Sequence, residues 1–96
     1  MAKYVIPVNY TEKGISNMKE SPERLKAVRA AIEDAGGKLE SFYLTLGQYD
    51  AVSIADLPDD ATLATFLLKT ASQGNVRTST LRAFGESEYE EIIDAL

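Results

Sequence analysis

The 96-residue chain contains no cysteine and no histidine. Without a thiol there can be no disulfide, Fe–S cluster, thiolate haem ligand or cysteine nucleophile. Without an imidazole the commonest general base is missing, together with the Ser-His-Asp relay and nearly all zinc chemistry. Any catalysis has to run on carboxylates, Tyr, Lys, Arg or a bound group, and no residue pattern for a cofactor or metal is present; catalytic residues are therefore unknown. Long hydrophobic runs are lacking too. No stretch approaches the roughly 18 apolar residues that span a bilayer, and Met1 to Pro7 has no sustained signal-peptide core, so a cytoplasmic protein is expected.

Basic clusters are also absent. Fifteen acidic residues face ten basic ones, for a net charge of −5, and the Lys and Arg residues are scattered singly. Nucleic-acid binding needs clustered cations to release counterions, and an anionic membrane would repel this chain; neither partner is expected. The acidic run from Glu86 to Asp94 lacks the spacing and the bracketing Gly of a calcium loop, and reads as a solvated helix face. Asn9-Tyr10-Thr11 matches a glycosylation sequon, which has no meaning without secretion.

What is present fits one domain spanning residues 1–96, with 45% apolar and 26% charged residues. Lys3 to Tyr10 is rich in β-formers and reads as a strand, with Tyr4, Ile6, Val8 and Tyr10 on one face and Val5, Pro7 and Asn9 on the other. Pro7 cannot donate to a ladder and usually marks an edge or bulge. Ser21-Pro22-Glu23 opens a helix with Ser21 as N-cap, Leu25, Val28, Ile32 and Ala35 form its apolar stripe, and Gly36-Gly37 closes it. Lys38 to Leu46 and Asp50 to Asp56 are two strands joined through Gly47-Gln48-Tyr49 as a hairpin, Gly47 supplying positive φ. Leu57-Pro58-Asp59-Asp60 starts a second helix with Leu63, Phe66, Leu67 and Ala71 as its buried stripe, stopped at Gly74. Asn75 to Phe84 is a fourth strand. Ser87 and Glu90 then suggest a capping box for a short final helix that offers Tyr89, Ile92, Ile93 and Leu96 to the core. The order β-α-β-β-α-β is the α+β plait of ferredoxin-like domains with an added C-terminal helix.

Alternation divides the sheet into two faces. Ile6, Val8, Phe42, Leu44, Val52 and Ile54 are large and are expected to meet the helices. The other set, Val5, Pro7, Asn9, Leu39, Ser41, Tyr43, Thr45, Ala51, Ser53 and Ala55, carries no charge. A solvated sheet face normally carries Lys, Glu and Arg, so the second set predicts a covered face, and a second copy of the chain is the simplest cover. A mildly polar solvated face is the competing reading.

Gly47-Gln48-Tyr49-Asp50, Asn75-Val76-Arg77-Thr78 and Thr80-Leu81-Arg82-Ala83-Phe84 resemble the GYD-domain family of small bacterial and archaeal proteins. Asn9 to Ile15 and Ser21 to Leu25 follow the same pattern. The resemblance spans nearly the whole chain. It implies a ferredoxin-like fold of the dimeric α+β barrel type, a homodimer or higher homo-oligomer, and no established activity. Gly47 to Asp50 and the strand from Val76 to Thr80 are also similar to the ligand-sensing domain of leucine-responsive and asparagine-type regulators, in which this hairpin lies near effector pockets at subunit interfaces.

These readings point to a homo-oligomeric module that binds or senses a small organic ligand at or near the subunit interface. Asn9, Tyr43, Thr45, Tyr49, Asp50 and Arg77 are its candidate lining, with Asp50 an acceptor for an amine or hydroxyl. Turn chemistry alone also explains Gly47 to Asp50, and Arg77 also reads as a solvated charge. Arg77 and Arg82 are five apart on one strand and point to opposite faces. The alternative is a small cofactor-free enzyme of the oxygenase or isomerase type, with Tyr43 or Asp50 handling protons; a third reading is a purely structural partner.

Overall fold

A computed structural model describes residues 1–96. Strand β1 (Ala2–Tyr10) is followed by α1 (Glu12–Ser16), a 3-10 turn (Met18–Glu20) and α2 (Ser21–Asp34). Next come β2 (Lys38–Leu44), β3 (Ala51–Leu57), α3 (Asp60–Ser72), β4 (Val76–Thr78), β5 (Leu81–Ala83) and α4 (Glu86–Asp94). The strand order is β2-β3-β1-β4, every pair antiparallel, and β5 also pairs with β1. This is the ferredoxin-like order, with the fourth strand in two pieces.

Pro7 makes the break. Tyr10↔Val76, Val8↔Thr78, Val5↔Leu81 and Lys3↔Ala83 belong to one unshifted register, which places Pro7 opposite Ser79. Ser79 donates its N–H to the Pro7 carbonyl at 3.0 Å. The return bond needs an N–H that proline lacks, so the ladder lapses for two residues. Proline thus stands in a central strand rather than at an edge or bulge, and its cost is one missing rung.

Directly opposed residues share a face, which fixes the two sides of the sheet. Leu39–Ala55–Tyr4–Arg82, Phe42–Ser53–Ile6 and Leu44–Ala51–Val8–Thr78 lie on the side of α2 and α3. The core is Tyr4, Ile6, Val8, Leu39, Ala51, Ala55 and Leu57 against Ile32 and Leu63. The opposite side carries the rows Ser41–Ile54–Val5–Leu81 and Tyr43–Val52–Pro7. Two expectations are overturned. Val52 and Ile54 face away from the helices, while Ala51, Ser53 and Ala55 face them, because helices pack closest over small side chains and β3 alternates large with small rather than apolar with polar. Leu39 is buried on the helix side because the pairing shifts between Leu39 and Ser41, a bulge at Glu40 that reverses the alternation.

Local chemistry explains most element ends. Gly36 (φ 88°) closes α2, and Gly74 (φ 81°) follows the last turn of α3. Asp59 caps α3 by accepting the Thr62 N–H at 2.8 Å, and that bond holds its carboxyl below the usual carboxylate range. Tyr4, 2% exposed, donates its hydroxyl to Asp60; that bond, then burial and the nearby negative charge, raise its pKa. The expected Ser21 cap is not made, because the preceding 3-10 turn runs into α2 and places Ser21 inside it. The final helix begins at Glu86 rather than at a Ser87 cap: Gly85 is its N-cap, and Glu88 accepts the Gly85 N–H at 3.3 Å.

The largest departure concerns α4. Tyr89 (58%), Ile92 (46%), Ile93 (46%) and Leu96 (94%) are exposed rather than in the core. A nine-residue helix after a strand that ends at Ala83 projects past the sheet, and the chain measures 49 × 31 × 18 Å. Its radius of gyration is 14.4 Å, against about 12.5 Å for a compact chain of this length. Accessible surface is 6483 Å², where about 5,400 Å² is typical of a monomer of this mass. The excess, about 1,000 Å², compares with the roughly 800 Å² that each partner buries in a standard interface.

Candidate functional site

The open sheet face is built by alternation along β1, β2 and β3. Its centre is apolar or hydroxylic: Val5, Ser41, Val52 and Ile54 are half-buried, Tyr43 and Leu81 exposed, and Pro7 is already buried between them. Charges stand only at its ends. At one end Lys3 contacts Glu40 and lies 3.2 Å from Asp56; hydrogen bonds to Glu40 and then Asp56 raise its pKa. At the other end Arg77 pairs with Asn9. The face is thus richer in large apolar groups than alternation alone suggested.

Three of the six expected site residues, Asn9, Asp50 and Arg77, stand at the Arg77 end, and Tyr43 lies on the same face in the Pro7 row, on the far edge strand. Asn9 and Arg77 are cross-strand partners, Tyr43 lies opposite Val52, and Asp50 directly precedes Ala51, the partner of Val8. Asp50 is already engaged: Oδ2 accepts the Tyr10 N–H at 2.9 Å, and its own N–H donates to the Val8 carbonyl at 2.9 Å. Thr45 and Tyr49 serve the turn. Thr45 donates its hydroxyl to the Tyr49 carbonyl at 2.6 Å and its N–H to the Asp50 carbonyl at 2.9 Å. The connection therefore runs from Thr45 to Asp50, longer than the expected Gly47-Gln48-Tyr49, while Gly47 does take positive φ, at 106°. Tyr43 is 60% exposed, so in the single chain neither Tyr43 nor Asp50 sits in the enclosed site that proton transfer needs. No group of three or more acidic side chains converges to hold a metal ion. No helix is long and apolar enough to cross a membrane.

A second feature escaped sequence reading. Between α2, α3 and the helix side of the sheet lies a cavity of about 250 Å³, with Ile6, Val8, Val28, Ile32, Phe42 and Phe66 in its wall and Arg24 and Lys69 among its lining. Residues read as ordinary stripe positions of the two helices form this space. Only the distance between the helices creates it, and no local pattern encodes that distance.

This antiparallel plait, with helices on one face of the sheet and none on the other, defines a ferredoxin-like α+β domain. It superimposes on a feast/famine regulatory protein from M. tuberculosis complexed with L-methionine, with a TM-score of 0.67, 18% identity and coverage of 88% of this chain and 51% of that one. A leucine response regulatory protein from Mycobacterium tuberculosis gives a TM-score of 0.57 at 17% identity, again over 88% and 51%. The chain therefore spans about half the length of these regulators, and the likeness is one of fold.

The GYD domain model matches residues 4–93, and the chain belongs to the GYD domain family. A curated relative, the glutamine synthetase and cystathionine beta-lyase binding protein of Thermus thermophilus, is 36% identical over 84 residues, covering 86% of this chain and 88% of its own.

Proposed function

We propose that this protein is a homo-oligomeric module that binds or senses a small organic ligand at the seam between subunits. The observation that carries the reading is the open sheet face. Half-buried Val5, Val52 and Ile54 and exposed Leu81 form its centre around the buried Pro7, and no helix of the same chain packs over it. An apolar face of this kind on a folded domain marks an association surface. A second copy packed sheet to sheet buries the apolar centre and leaves Asn9, Asp50 and Arg77 at the rim, where polar side chains and one guanidinium suit a small zwitterion. The L-methionine complex of the M. tuberculosis regulator supports an amino acid as the first ligand to try.

Calorimetry with L-methionine and a panel of other L-amino acids tests this. Binding by the wild type, weakened about tenfold or more in Arg77→Ala with unchanged melting temperature, is the expected result. Failure of every amino acid to bind, or equal affinity in Arg77→Ala, overturns the ligand half of the proposal.

A second reading is favoured by α4. Its stripe of Tyr89, Ile92, Ile93 and Leu96 is exposed, and its five acids stand alone, whereas residues 1–85 hold ten acids and ten bases. All of the net charge therefore lies on one amphipathic helix, which fits a protein-docking element, and the T. thermophilus relative is named for binding two enzymes. Removal of residues 86–96 separates the readings: it abolishes enzyme docking but leaves amino-acid binding at the sheet.

A further inference from the structure

We infer that the cavity between α2 and α3 is a second binding site, inside one chain, for a small monocarboxylate with an apolar alkyl or aryl tail. The site lies on the opposite side of the sheet from the proposed subunit seam, and it stands whether or not the chain associates.

Its chemistry is graded along its length. The apolar wall is built by Ile6, Val28, Ile32, Phe42 and Phe66. Polar groups collect at the other end for a topological reason. There β1 finishes at Tyr10, α2 begins, α3 finishes, and β4 starts at Val76, the partner of Tyr10. That convergence brings Arg24, Lys69, Thr70, Gln73 and Asn75 into the lining. An apolar body with a few polar groups at one end is the usual form of a small-molecule site.

Charge then selects the head group. Among the 21 lining residues there are two cations and no acid, in a chain where acids outnumber bases fifteen to ten. Arg24 is half-buried and makes no ion pair. Its guanidinium donates to the Asn17 carbonyl at 2.8 Å and more weakly to the Gly14 carbonyl at 3.4 Å. Two carbonyls use only part of a five-donor fork, so N–H groups remain free to meet a carboxylate. The volume suits a short tail. About 250 Å³ is roughly eight waters' worth of liquid volume, room for a ligand of roughly ten heavy atoms.

Phenylacetate and its neutral amide, phenylacetamide, are the test probes, titrated into the full-length protein and followed by amide chemical shifts. Phenylacetate is expected to shift Val28, Phe66 and Thr70 and to bind at least about tenfold more tightly than the amide, since a charged hydrogen bond separates them. Arg24 also anchors α1, so Arg24→Gln can fail through folding. Ala31→Phe is the cleaner variant, because Ala31 lines the cavity from an exposed helix position. It should fill the space and abolish binding while melting and oligomer mass stay as in the wild type. Equal affinity for acid and amide, shifts confined to other residues, or no binding of either probe overturns the proposal. So does a change of oligomer mass in Ala31→Phe, which would show the groove to be covered by a second copy.

Discussion

Gly36 and Gly37 follow one helix, yet the structure gives them different jobs, and replacing each with alanine separates those jobs. Gly36 has φ of 88°, and an added Cβ would meet only Pro58 Cγ at 3.5 Å, an ordinary contact. Its alanine variant bears the left-handed backbone penalty, about 1–2 kcal/mol, partly offset by the smaller entropy of the unfolded chain. Gly37 needs no unusual φ. An added Cβ there would stand 2.2 Å from the Asp56 carbonyl oxygen and 3.2 Å from both Ile32 Cγ2 and Leu57 Cγ. Carbon and oxygen normally stay about 3.3 Å apart, so some 1 Å of movement is required. Asp56 cannot yield that cheaply, because it pairs with Lys3 on one side and Lys38 on the other. Ile32 and Leu57 are 1% and 0% exposed, in a core that tolerates overpacking poorly. Gly37→Ala should therefore cost about 3 kcal/mol or more, lowering the melting temperature by roughly 12 °C or more, against about 1 kcal/mol for Gly36→Ala. Urea unfolding followed by circular dichroism measures both. Gly37→Ala no less stable than Gly36→Ala would refute the close-approach reasoning.

Tyr4→Phe keeps the buried ring and removes only its bond to Asp60. A loss of about 1–2 kcal/mol in urea unfolding is expected, the low end for a charged partner because Asp60 is exposed. The folded state holds this hydroxyl protonated above its ordinary pKa of 10.0, so its contribution is intact below that pH and lost as pH rises through the folded value. Wild type and Tyr4→Phe should therefore converge in stability above pH 10, and a constant gap up to pH 11 would contradict the pairing. Asp59 runs the other way. Its depressed pKa means that the cap stabilises above the ordinary carboxylate value of 3.8 and fails as pH falls through the folded one. The melting-temperature gap between wild type and Asp59→Ala should be full at pH 6 and shrink below pH 4; an unchanged gap at pH 2.5 would rule out the Thr62 bond as its source.

Element order was legible because its signals are local: Asp59 before a helix, glycine at the ends, β-formers in alternation. The phase of β3 was not. Ala51, Ser53 and Ala55 against Val52 and Ile54 is an alternation of size without charge, and which set meets the helices depends on how closely they approach. Leu39 was misplaced because a bulge leaves little trace in composition. α4 carries a correct amphipathic pattern, but a stripe states that it needs a cover and not which chain supplies it. Asn9, Asp50 and Arg77 come to one end of one face because turn and strand positions place them there. The α2–α3 cavity depends on helix spacing, which no single element specifies.

A second copy over the bare sheet face is the centre of the proposed function, and sedimentation equilibrium at micromolar concentration asks for it most directly. The wild type should sediment at twice the 10.5 kDa chain mass or a higher multiple, and Ile54→Lys, which places a charge in the middle of the open face, should fall toward the monomer while keeping its circular dichroism spectrum. A wild-type protein that stays at 10.5 kDa, or an Ile54→Lys variant that assembles as well as the wild type, would contradict the assignment of this face as the subunit interface.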